Sequence, residues 1–147
     1  LVGSEMCIRD RYLTFGFQSI KVNFFWNLFE EILFKSKFVI SMAGTASEQA
    51  IGLAKPVVQI EGRGPQFTKS FAEAQRRLLG KYVFCASDFK DREDQINQTI
   101  NLILELIYFI KIDKQFLVSC HENANLRLGG LNSCIRIVND LKSFMEK

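Results

Sequence analysis

The chain has 147 residues, 48% of them apolar and 24% charged, with only two prolines, the size and composition of one globular domain with a core of its own. Nineteen Lys and Arg against sixteen Asp and Glu leave a formal charge of +3, too mild and too scattered for phosphate tracking, so a nucleic-acid partner is excluded. The longest apolar stretch, Ile100 to Ile112, is interrupted by Asn101, Glu105 and Lys111 and falls short of the roughly 20 residues of a membrane span; it reads as a buried helix.

The first residues, Leu1 to Arg11, show neither helical nor strand period, and they lack the basic start and apolar run of a signal peptide. Residue by residue they match the translation of a sequencing adapter used in transposase-made DNA libraries. The genuine protein is therefore expected to begin near Tyr12. Arg9, Arg11, Glu5 and Asp10 leave together, so the charge stays at +3.

From Phe24 to Phe34 the apolar Phe25, Leu28, Phe29 and Ile32 recur at helical spacing, opposite Asn27, Glu30 and Glu31, which predicts an amphipathic helix. Phe38 to Met42 reads as a short strand, Ala43-Gly44-Thr45 as a tight loop and Ala46 to Leu53 as a helix. Pro56 opens a second strand, Val57 to Ile60, which runs into Glu61-Gly62-Arg63-Gly64-Pro65, a stretch that continues neither helix nor strand. Phe67, Phe71, Ala74 and Leu78 mark one face of a helix that stops at Gly80, and Tyr82 to Cys85 reads as a third strand. This alternation predicts an α/β fold, a Rossmann-like parallel sheet with crossover helices. After Asp91 the pattern is helical only, with stripes at Ile96, Ile100, Ile103, Ile107 and Ile110, then Phe116, Leu117 and Cys120, then Ile135, Val138, Leu141 and Met145. Gly129-Gly130 separates the last two helices.

Ligands of open parallel sheets bind beyond the carboxyl ends of the strands, which makes the two loops after the first two strands the candidate site. In the first, Ala43, Gly44 and Thr45 stand at a helix N-terminus, where free N–H groups and the helix dipole favour an anion such as a diphosphate. Glu48, an acceptor when ionised, suits a ribose diol. The same Thr45-Ala-Ser-Glu48 also fits a capping box that binds nothing. In the second, Gly62 and Gly64 allow a ligand to lie against the backbone, Arg63 offsets phosphate charge, and Gln66 beside Phe67 donates and accepts toward sugar hydroxyls. Its bland alternative is an ordinary strand-to-helix turn. Gln75, Arg76 and Arg77 read as structural or solvated, His121 as a packed or surface residue, Glu30 and Glu31 as a wet helix face, and Asp88 to Asp94 as a charged turn feeding a helix. Cys7, Cys85, Cys120 and Cys134 form neither a zinc nor a disulfide pattern, so reduced thiols in a cytosol are expected, with no metal.

Taken together, Met42 to Ile60 and Gly62 to Gly80 resemble the C-terminal domain of proteins related to lipid-A-disaccharide synthase, and Arg127-Leu-Gly-Gly-Leu-Asn-Ser-Cys-Ile-Arg-Ile resembles that family's closing stretch, from which Leu131 and Asn132 depart. The resemblance implies a GT-B fold, two Rossmann-like domains with a cleft between them, of which residues 12–147 are the donor half and the N-terminal acceptor domain is missing. It implies a UDP-sugar as donor substrate with no cofactor, contacts from the small-residue loop to the diphosphate, from Glu48 to the ribose and from around Gln66 to the sugar, and inverting transfer to a lipid or saccharide acceptor. The catalytic base is expected in the missing domain, and the whole protein is expected in the cytoplasm with peripheral membrane association. Two rivals stand beside it: a UDP-sugar 2-epimerase-like enzyme, and a Rossmann-like domain that only scaffolds.

Overall fold

A computed structural model of the chain describes residues 7–9, 12–62, 64, 68–86, 88–129 and 132–145. It divides into two compact units, Leu1–Ser36 and Lys37–Lys147. The first unit carries three antiparallel strands in the order β1 (Cys7–Arg9), β2 (Tyr12–Phe17) and β3 (Ile20–Phe25), then a short helix α1 (Phe29–Lys35). β2 and β3 form a hairpin about the two residues Gln18 and Ser19, with Gln18 at φ 53°. Across it, Thr14 Oγ1 donates to Asn23 Oδ1 at 2.7 Å, and Phe15 meets Phe24 edge-on with ring centroids 5.2 Å apart.

This corrects the expected helix from Phe24 to Phe34. Phe24 and Phe25 are strand residues, and the helix starts only at Phe29. Aromatic pairing across the hairpin, Tyr12 with Phe25 as well as Phe15 with Phe24, prevails over a helical spacing that those phenylalanines share by coincidence. Cys7–Arg9, where no period is legible, pairs with β2.

The second unit has the expected alternation: β4 (Val39–Ser41), α2 (Gly44–Gly52), β5 (Val57–Gln59), α3 (Lys69–Leu79), β6 (Val83–Cys85), then α4 (Arg92–Ile112), α5 (Lys114–Leu128) and α6 (Ser133–Met145). The three strands form a parallel sheet in the order β4-β5-β6. Every residue of the central strand is buried, because a parallel sheet is covered on both faces and selects a continuous apolar run such as Val57-Val58. α2, α3 and α5 pack against one another, and α4 packs on β5, β6 and α5. The core of this unit centres on the fully buried Ile51, Val57, Val58, Leu79 and Val83.

The helices are where expected, but their buried faces are not. α3 buries Ala72, Gln75 and Leu79 instead of Ala74 and Leu78. α4 buries Gln95, Thr99 and Leu106, while Ile96 and Ile100 of the predicted stripe are exposed and Ile103, Ile107 and Ile110 are half-buried. The stretch Ile100 to Ile112 is thus one helix with a solvent-facing apolar side, not a buried one. Hydrogen bonding explains the polar interior: Thr99 Oγ1 donates to the Gln95 carbonyl at 2.8 Å, and Gln95 Nε2 donates to the Glu61 carbonyl at 3.1 Å. Cys120 is buried, whereas Leu117 and the whole stripe Ile135, Val138, Leu141 and Met145 of α6 are exposed. Among the described residues no helix is long and apolar enough to cross a membrane.

Candidate functional site

The last residues of the three parallel strands, Ser41, Gln59 and Cys85, stand side by side in register. Each is polar and each is held. Ser41 Oγ accepts from the Ala43 N–H at 3.2 Å and donates to the Ala43 carbonyl at 3.0 Å, fixing the turn into α2. Ser47, fully buried, donates to the same carbonyl at 2.8 Å. Its hydroxyl accepts from Gln59 Nε2 at 3.2 Å, which leaves buried Gln59 Oε1 as an acceptor without a partner among the described residues. Cys85 Sγ donates weakly to Glu61 Oε1 at 3.9 Å.

The first loop differs from a capping box. Ala43 is the N-cap, with extended backbone, and among the described residues no side chain caps the helix. Thr45 is therefore already inside α2 and exposed, and half-buried Glu48 lies beyond the first turn, too far along to reach back to the cap. Gly44 begins the helix against α3: a Cβ there would meet the Phe71 ring at 3.3 Å. The first N–H groups of α2 thus have no side-chain acceptor among the described residues at the C-terminal end of β4, the geometry in which backbone N–H groups bind an anion.

In the second loop, Gly62 and Gly64 are exposed, Gly64 with φ 119°. Arg63, Gln66 and Phe67 lie outside the described residues. The loop is anchored from α4, where Arg92 Nη1 donates to the Glu61 carbonyl at 2.9 Å beside the Gln95 bond and also to Gln95 Oε1. Asp91 caps that helix by accepting from the Asp94 N–H at 2.9 Å, so the Asp88 to Asp94 turn has a positioning role for the loop. Thr68 caps α3 by accepting from the Phe71 N–H at 3.2 Å.

Between the loops is a narrow cleft lined by Ser41, Gln59, Glu61, Thr68 and Phe71. Its interior holds about 10 Å³, on the order of a single water, too little to enclose anything larger. None of the six described residues among the nine singled out from the sequence, Ala43, Gly44, Thr45, Glu48, Gly62 and Gly64, lines it; a Cβ added at Gly44 would meet the ring of Phe71, which does line it. Ser41 and Gln59 escape sequence reading, and Glu61 enters it only as the start of the second loop, although a polar residue closing an apolar strand run, as in Val57-Val58-Gln59, is a usable signal. Burial, and then the Glu61 carboxylate, push the Cys85 thiol up to about 11, and burial pushes Cys120 up to about 11; neither is a nucleophile at neutral pH. Cys85, Cys120 and Cys134 are free thiols, His121 is exposed, and no metal-binding group occurs among the described residues.

Fold and site together define an α/β domain with a three-stranded parallel sheet whose strand ends carry an open helix N-terminus and a row of polar side chains. Compared with known protein families, curated proteins and solved structures, the chain matches none.

Proposed function

We propose that residues 12–147 are the nucleotide-sugar-binding half of a GT-B glycosyltransferase of the lipid-A-disaccharide synthase-related type. The observation that carries the reading is the uncapped N-terminus of α2 at the C-terminal end of β4. A diphosphate laid across the N–H groups of Gly44, Thr45 and Ala46 supplies the hydrogen bonds that no side chain there provides, and the helix dipole favours its charge. Thr45 adds a hydroxyl. Glu48, relieved of a capping role, faces the ribose diol as an acceptor, and Gln59 and Glu61 add acceptors for further hydroxyls. In an inverting transfer these donors stabilise the charge that develops on the departing UDP. The base that activates the acceptor hydroxyl belongs to the acceptor domain, so residues 12–147 alone bind without turnover.

Calorimetric titration of residues 12–147 with UDP tests this. Glu48→Ala weakens UDP about tenfold or more, since a hydrogen bond to a charged group contributes about 1.5 to 3 kcal/mol. Its melting midpoint stays near that of the parent, because a substitution outside caps and core changes stability by no more than about 0.5 kcal/mol. Equal affinity in both proteins removes Glu48 from the site. If neither UDP nor a UDP-sugar binds at millimolar concentration, the donor-grip reading fails and a scaffold domain remains.

A further inference from the structure

At the opposite end of the parallel sheet from the cleft, two features meet at one residue. The first is an apolar cavity of about 280 Å³ between the start of β6, α4 and the start of α5, walled by Tyr82, Leu102, Leu106, Phe109 and Phe116. Its aromatic wall is ordered, with Phe109 and Phe116 stacked at 5.8 Å and Tyr82 edge-on to Phe116 at 5.4 Å. The second is an open groove of about 530 Å³ where the C-terminal ends of α3 and α5 converge on Gly80, lined by Arg76, Arg77, Lys81 and Arg127 together with Glu73. Lys81 lines both, its ammonium 5.3 Å from the centroid of the Tyr82 ring.

Helix C-termini attract cations in any case, but that accounts for only part of this cluster. Arg127 Nη1 donates to the Arg77 carbonyl at 3.3 Å and so closes the end of α3. The side chains of Arg76 and Arg77 have no partner among the described residues, where the ion pair formed is Lys69 with Asp88. On the same two helices, outside the groove lining, Leu78 is 55% and Leu126 80% exposed. Unpaired cations that share Lys81 with an apolar cavity, on helices that also expose leucines, form the recognition surface of an anionic amphiphile.

We propose that this surface binds one anionic phospholipid of a bilayer, its phosphate on Arg76, Arg77 and Lys81 and one acyl chain in the aromatic cavity, while Leu78 and Leu126 enter the interface. Glu105 and Asp113, which also line the cavity, repel an anion there and direct the phosphate toward the arginines. The site shares no residue with the strand-end cleft and stands whether or not a nucleotide sugar binds there.

Co-sedimentation of the full chain with vesicles of phosphatidylcholine, alone or mixed with phosphatidic acid, tests the headgroup. Binding is expected to the mixed vesicles only, and Arg76→Gln with Arg77→Gln weakens it about 30-fold, the factor for two cations at about 1 kcal/mol each. Short-chain lysophosphatidic acids test the cavity. Affinity rises about fourfold per added methylene, the factor for about 0.8 kcal/mol per buried CH₂, and Phe109→Gln abolishes that rise but leaves binding of inorganic phosphate unchanged. Phe109 is 43% exposed, and circular dichroism checks that the variant is folded. The proposal is overturned by equal binding to both vesicle types, by inorganic phosphate binding as tightly as the longest lysophosphatidic acid, or by a chain-length dependence that survives in folded Phe109→Gln.

Discussion

Gly80 ends α3 with φ 93°, and a Cβ built there would lie 2.1 Å from Asn123 Oδ1. The position excludes a side chain twice over, by backbone conformation and by space. The Asn123 amide is itself committed, because its Nδ2 donates to the Leu79 carbonyl at 2.9 Å in a buried setting. Gly80→Ala must therefore accept a left-handed backbone and displace a buried amide from its acceptor, and is expected to destabilise the domain by about 2 to 4 kcal/mol. A drop in the urea midpoint at unchanged slope measures it; an unmoved midpoint would show that Asn123 swings away freely. The helix stop at Gly80 is legible in the sequence as a glycine after a periodic run. Its partner is not, because Asn123 lies in a segment of mixed polarity and only the fold brings it to the helix end. The same holds at the candidate site. Gly44 and Gly64 announce themselves by composition, while Gln59 and Glu61 acquire their positions from strand register and from Arg92 and Gln95 on a helix far along the chain.

At the scale of elements, the alternation of helix and strand from Phe29 to Cys85 is legible because buried parallel strands are short apolar runs set off by Gly and Pro. Helix phase is harder. In α4 the isoleucines suggest an interior face, yet the face that packs carries Gln95, Thr99 and Leu106, its polar groups satisfied within the protein. Sequence periodicity cannot see such hydrogen bonds, so it assigns the stripe to the more apolar neighbour. In α6 the discrepancy has another origin: the stripe is present, and Ile135, Val138, Leu141 and Met145 are exposed on it. With these four residues exposed, α6 buries little apolar area and contributes little hydrophobic stabilisation to the unit. Deleting residues 132–147 is expected to leave the thermal midpoint within about 2 °C, less than a loss of 1 kcal/mol produces in a domain of this size, and to lower the binding of a hydrophobic dye. A larger fall in the midpoint would mean that α6 packs against the rest of the chain.

For the whole molecule, the two raised thiols set an alkaline limit. Cys85 and Cys120 hold their protons to about pH 11 in the folded protein, whereas in the unfolded chain both ionise near 9, their ordinary value in water. Below that pH both states carry the proton and stability is unaffected. Between about 9 and about 11 the unfolded chain releases protons that the folded protein retains, so stability falls as pH rises. Thermal melts across that interval are expected to show the decline, and Cys85→Ser with Cys120→Ala to flatten it; a decline of the same steepness in the double variant would assign it to other groups. The exposed Lys69–Asp88 pair, by contrast, adds little at any pH, since water screens it.

The bond from Asn123 to Leu79 spans 44 residues, and chains are synthesised from the N-terminus. At roughly 5 to 20 residues per second, the Leu79 carbonyl exists for roughly 2 to 9 s before the amide that finishes α3 has been made. Through that interval the Leu79 carbonyl has only water to bond to, and the nascent sheet waits for a helix that the ribosome has not yet written.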